Sequence, residues 1–147
     1  MDEKNDKLRA MIADRIEHFY DENPFVKLMK LQVDEISSGM VVLRFDVDDI
    51  YTNFYGIAHG GALMSATDTA MGAACLSLNK KVVTTSFNMN FIKPIYSGNS
   101  AKIVGSVLHD GSRTMVCEAS VMDEEGQLAG KANASFLVIG EFCSEAD

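Results

Sequence analysis

A basic cluster, an apolar run of membrane-spanning length and an even set of cysteines are all missing from these 147 residues. Each absence closes off a class of function. The formal net charge is −8, and the scattered lysines and arginines build no basic face of the kind that nucleic-acid-binding proteins present. A phosphorylated small ligand stays open, because a few lysines or the amides at a helix start hold one phosphate group locally. No stretch reaches the roughly 18 unbroken apolar residues of a spanning helix, so no membrane partner is expected. The nearest, Ala62 to Leu78, is interrupted by Thr67, Asp68 and Thr69. The opening MDEKNDKLRA carries both signs of charge and lacks the apolar centre of a secretory signal; the expected location is cytoplasmic. Cys75, Cys117 and Cys143 are odd in number and unrelated in spacing, which fits neither a disulfide framework nor a metal site. Cys75 and Cys117 lie in apolar stretches and read as small buried hydrophobes. His18, His59 and His109 are far apart and form no metal-binding pattern, so no metal is expected.

What is present points to one compact unit. The length fits a single domain over residues 1–147, and 47% apolar residues are enough for a core at this size. From Asp2 to Tyr20, Leu8, Met11, Ile12, Ile16 and Phe19 recur at helical spacing, predicting an amphipathic N-terminal helix within residues 1–24 that Asn23-Pro24 ends or redirects. Strand signals follow. Leu31 to Ile36 is expected to pair through Ser37-Ser38-Gly39 with a strand whose Val41, Leu43, Phe45 and Val47 alternate with Val42, Arg44, Asp46 and Asp48. Val82 to Ile92 is a third strand, with Val83, Thr85, Phe87, Met89 and Phe91 expected on one face. Ala101 to His109, Arg113 to Met122 and Gln127 to Ile139 are joined by tight turns and predict an antiparallel meander. Residues 59–79 are rich in Ala, Met and Leu and favour helix. The apolar residues lie all round that helix, which predicts burial on most sides. The expected architecture is α+β: about six antiparallel strands wrapped around a central helix, with an N-terminal helix outside.

Asp68 is the only charged residue between Tyr55 and Lys80. A carboxylate on an apolar helix is costly to bury unless paired or solvated. Either it points to a wet edge or caps a neighbour, or it is a nucleophile or general base in a cleft. His59-Gly60-Gly61 opens the same helix. Two glycines permit a sharp turn and close backbone approach to a ligand. The first helical N–H groups lack internal partners and sit at the positive end of the dipole, a geometry that can hold an oxyanion; a plain glycine turn beside a histidine is the competing reading. Asn53 reads as a turn residue. Ser86 and Asn88 share a polar strand face with Thr84 and Asn90, ordinarily a solvated surface.

Together, NFYGIAHGGALMSATDTA and VVTTSFNMNFIKP resemble the PaaI-like hotdog thioesterases. That family's pattern is an Asn, an HGG opening the central helix, an acid two turns later, and a Ser/Thr-rich strand closed by a proline. Here these are Asn53, His59 to Gly61, Asp68, Ser86 and Pro94. The order of elements matches across nearly the whole chain. The resemblance implies a hotdog fold and hydrolysis of acyl-CoA to free acid and CoA, with no cofactor beyond the CoA of the substrate. It implies that Asp68 attacks the thioester or activates water, that the Gly60 amide holds the oxyanion, and that His59 orients the thioester or assists thiolate departure. Asn53 would hold substrate or water, and Ser86 would position the attacking water. Gly61, Phe54 and Asn88 are expected at the substrate. The family's site lies across a dimer interface, implying a homodimer or a tetramer built as a dimer of dimers. An acyl-CoA-binding module without turnover and a hotdog hydratase or dehydratase are the alternatives; the latter pairs a His with an acid at a spacing this chain lacks.

Overall fold

The structure, a computed structural model, describes residues 3–144. Helix α1 (Glu3–Glu22) occupies the expected amphipathic segment; the expected first position, Asp2, lies outside the described residues. Its buried stripe is Ile12, Ile16 and Tyr20, with Leu8 partly covered. Met11 and Phe19, expected on that stripe, are exposed. They sit one residue off it, about 100° round the helix. Asn23 redirects the chain. Its side-chain oxygen accepts from the amides of Phe25 and Val26 at 3.1 and 3.0 Å, and Pro24 takes the first position of a second helix, α2 (Pro24–Met29). Six residues are too few to show a periodicity, so this helix was not expected.

The six strands are β1 (Gln32–Ser37), β2 (Met40–Asp46), β3 (Lys80–Phe91), β4 (Ser100–Asp110), β5 (Thr114–Met122) and β6 (Leu128–Glu141). They form one antiparallel sheet in the order β1-β2-β4-β5-β6-β3. The β4-β5-β6 meander and the β1-β2 hairpin are as expected, the latter turning at Gly39 with a positive φ of 79°. Strand β3 crosses over to the far edge, beside β6.

Helix α3 (Gly60–Ser77) connects β2 to β3 and buries nine residues, chiefly Ala, with Leu63, Met71 and Cys75. Small side chains let the sheet come close. At Gly105 on β4, an added Cβ would lie 2.5 Å from the backbone of Ala70, so helix and sheet meet there backbone to backbone. Cys75 and Cys117 are fully buried, as expected, and their thiols touch at 3.4 Å. The hydrogen bond to Cys117 and burial push the Cys75 thiol up, which makes it an inert core group.

Strand β3 departs from the expected alternation. Thr84 pairs with Phe136 and Ser86 with Ser135, leaving Thr85 as the extra residue of a bulge. A bulge shifts the side-chain parity of everything beyond it. Phe87 and Met89 therefore face the core with Val82, and Val83, expected with them, is exposed.

Candidate active site

The sequence candidates fall at two places along α3. The first is its N-terminus. His59 is the capping residue, and its Nδ1 accepts the Gly61 amide at 2.9 Å. With Nδ1 occupied as an acceptor, the neutral imidazole carries its proton on Nε2, and the exposed ring presents that N–H outward. The Gly60 amide is the first of the helix and meets no acceptor among the described residues. A Cβ on Gly60 would come within 3.2 Å of the Phe91 ring, so glycine keeps the approach to this amide narrow but open.

Asn53 sits in the loop leading into this turn. Its side-chain oxygen accepts from the amides of Tyr55 at 2.9 Å and Ile57 at 3.2 Å, which fixes the carboxamide plane and leaves the NH2 group as its remaining donor. Asn53, Gly60, Phe91 and Pro94 line one cavity of about 400 Å³. Phe54 and Tyr55 project from the loop tip, and Phe54 is fully exposed.

The second place is Asp68, two turns into the helix and partly buried. Thr84 of β3 donates its hydroxyl to Asp68 Oδ1 at 2.7 Å. No cation pairs with Asp68 among the described residues, so the carboxylate keeps one oxygen free and its charge uncancelled. Behind it, Tyr20 of α1 donates its hydroxyl to the Thr69 carbonyl at 3.2 Å. Burial first, and the charge of Asp68 second, push the Tyr20 phenol well up, so it stays neutral. A groove of about 520 Å³ opens here, walled by α1, α2 and β3 and floored by Asp68, Gly72 and Leu76.

Within one subunit the two places do not meet. Eight residues of α-helix separate Gly60 from Asp68, about 12 Å along the axis. Ser86, expected beside Asp68, lies beyond the β3 bulge. Alternation from Phe87 and Met89 puts Ser86 and Asn88 on the outer face of the sheet. The residue that reaches Asp68 is Thr84, read from sequence as ordinary surface; two adjacent threonines at a bulge leave almost no sequence signal. No group of three or more His, Cys, Asp or Glu side chains is placed to hold a metal ion among the described residues, and no helix there is long and apolar enough to cross a membrane.

Comparisons with known proteins agree with this geometry. A family model described as the thioesterase superfamily matches residues 55–129. A protein of Saccharolobus solfataricus named as a candidate esterase is 32% identical, over 84% of this chain and 89% of its own length. The acyl-coenzyme A thioesterase PaaI of Escherichia coli is 24% identical over 72% of this chain and 76% of that protein. The E. coli PaaI structure superposes with a TM-score of 0.86 at 22% identity, covering 91% of this chain and 97% of that one, which shows the fold. A Streptococcus pneumoniae thioesterase-type protein solved with coenzyme A is 29% identical, TM-score 0.74, over 76% of this chain and 87% of that one. That pneumococcal protein was also solved as two alanine variants, one replacing an aspartate and the other a threonine sixteen positions further on. With an α3 start that donates, a carboxylate two turns later and a sheet wrapped around both, the chain belongs to the thioesterase superfamily, as a PaaI-like member with the hotdog fold.

Proposed function

We propose that the protein hydrolyses acyl-CoA thioesters to free acid and CoA at sites shared between two subunits. The observation that carries this reading is the complementarity of the two places on α3. One has unspent N–H donors and no acid; the other has an uncancelled carboxylate, and the hydroxyl beside it is already spent on that carboxylate. A thioester carbonyl needs both within a few ångströms. A second copy of the chain supplies the missing half. Strand β3 is a twelve-residue edge with no neighbour on its outer side among the described residues, a template for pairing. It carries Thr84 near one end and Phe91 at the other. Antiparallel pairing of two β3 strands about a two-fold axis near Phe87 and Asn88 sets Thr84 opposite the partner's Phe91, and so brings Asp68 toward the partner's Gly60.

At such a site Asp68 attacks the thioester carbonyl carbon, or takes a proton from the water that does. The Gly60 amide receives the developing oxyanion, strengthened by the helix dipole. His59 Nε2–H lies beside the departing sulfur, where it can hold the thiolate. Thr84 keeps Asp68 in one rotamer and takes the positioning role that the family resemblance gave to Ser86. The sixteen-residue spacing of Asp68 and Thr84 equals that of the aspartate and threonine varied in the pneumococcal protein. Thiolates leave readily, so this chemistry uses protein groups alone and no metal. The CoA-bound pneumococcal structure supports CoA as the carrier.

Thiol release from a panel of acyl-CoAs, with and without EDTA, tests the proposal. Metal-independent release is expected. A protein that binds acyl-CoA and releases no thiol from any of the panel is a binding module, and the proposal fails.

A further inference from the structure

Gly72 lies on the groove floor, has no part in the catalytic reading, and is out of place on ordinary grounds. Glycine weakens a helix interior. It is retained where a neighbour comes too close for a methyl group, as at Gly105. At Gly72 the reverse holds: an added Cβ would meet nothing within 4 Å. Its φ is not positive, so the backbone does not require glycine either. What lies over it is the groove. Asp68, Gly72 and Leu76 follow one another at intervals of four, on one face of α3. The walls above them are largely apolar, with Phe19, Val26, Val82 and Phe142 among them, and among the described residues Lys81 is the only basic one of the lining.

We infer that this groove receives the acyl group of the substrate, that the group is a medium-length apolar chain, and that Gly72 sets the length accepted. The inference rests on the thioesterase reading above, since the acyl chain must begin at the carbon beside Asp68. From Asp68 to Leu76 is about 12 Å along the helix. An extended chain advances roughly 1.2 Å per bond, a third of the rise of an extended residue, so the groove takes about ten carbons. A largely apolar lining with no carboxylate beyond Asp68 among the described residues suits an unsubstituted chain. Leucine at position 72 would fill the passage between Asp68 and Leu76 and leave space for only the first few carbons.

The test compares kcat/KM for decanoyl-CoA and butyryl-CoA in the wild type, Gly72→Ala and Gly72→Leu. The decanoyl-to-butyryl ratio should exceed one in the wild type, fall in Gly72→Ala and fall by roughly tenfold or more in Gly72→Leu. Gly72→Ala should also melt higher than the wild type, which makes it the informative variant if the leucine disturbs folding. A ratio that stays constant in both variants, or a wild type that favours phenylacetyl-CoA and rejects decanoyl-CoA, overturns the inference. If the wild type hydrolyses no acyl-CoA, the hydrolytic reading fails by itself. The groove is then read by equilibrium binding of non-hydrolysable decanoyl- and butyryl-CoA thioethers. Tighter decanoyl binding that is lost in Gly72→Leu upholds the acyl groove, and equal binding of the two thioethers rejects it.

Discussion

The two ends of the Gly60–Asp68 stretch of α3 are built on opposite principles. Its first turn is open, glycine-rich and made of donors: the Gly60 amide, the outward Nε2–H of His59, and the carboxamide of Asn53 held by two loop amides. Two turns later the helix is enclosed, and what it presents is an acceptor, Asp68, touched by one hydroxyl. Neither end is a site by itself. A helix start with unfilled donors attracts any anion, and a half-buried carboxylate with no cation is simply a costly group. The difference teaches that one straight helix, about 12 Å between the two features, cannot bring them to one carbonyl. Strand β3, at the edge of the sheet, carries the pairing by which the proposed dimer would bring them together.

Changes at the acceptor end should have the largest effect. Asp68→Asn keeps the size and the Thr84 contact and removes both nucleophile and base. It should lower kcat by on the order of 10²-fold or more with the fold intact by circular dichroism. An unchanged kcat would return Asp68 to a purely structural role and dissolve the contrast between the two ends.

The edge that joins the ends comes next. Lysine is the residue that natural edge strands use to prevent pairing. Val83→Lys places it at an exposed position of the edge strand β3, as Asp34 and Glu35 place charge on the opposite edge strand β1. The dimer Kd should rise by at least about tenfold, and activity should fall with dilution in step with dissociation measured by light scattering. Full activity from a demonstrated monomer would break the account.

The smallest effect should come from the hydroxyl that orients the carboxylate. Thr84→Val should reduce kcat by about tenfold, the scale of one hydrogen bond to a charged group, and Thr84→Ser should restore most of it. A role confined to packing predicts the reverse order, with valine tolerated and serine not.

Much of this contrast was legible in the sequence, and the parts that were not share a physical cause. Asp68 stood out because the charge-free stretch around it is long. His59-Gly60-Gly61 stood out because two glycines before an alanine-rich run mark a helix start. The meander was readable because β4, β5 and β6 keep period-two alternation between turn residues. Reading β3 failed at one residue. The polar run Thr84-Thr85-Ser86 alternates equally well in either register, and only the pairing with β6 reveals the bulge. That shift moved Thr84 to Asp68 and turned Ser86 and Asn88 to the other face. Helix α2 escaped notice because six residues carry no period, although Asn23-Pro24 is a sound helix-start signal. Gly72 was visible as a glycine inside a helix, but the open space above it is encoded by no sequence pattern.

Subunit complementation tests the shared site most directly. An Asp68→Asn chain lacks the acceptor end, and an Asn53→Ala chain loses the two hydrogen bonds that shape the donor end. Each should be nearly inactive alone. When equal amounts are mixed and allowed to exchange, about half the dimers are mixed, and in each of these both lesions fall in one site and spare the other. About a quarter of wild-type activity should return. Proven exchange with no activity recovered would contradict the shared site and place all of the catalytic groups within a single subunit.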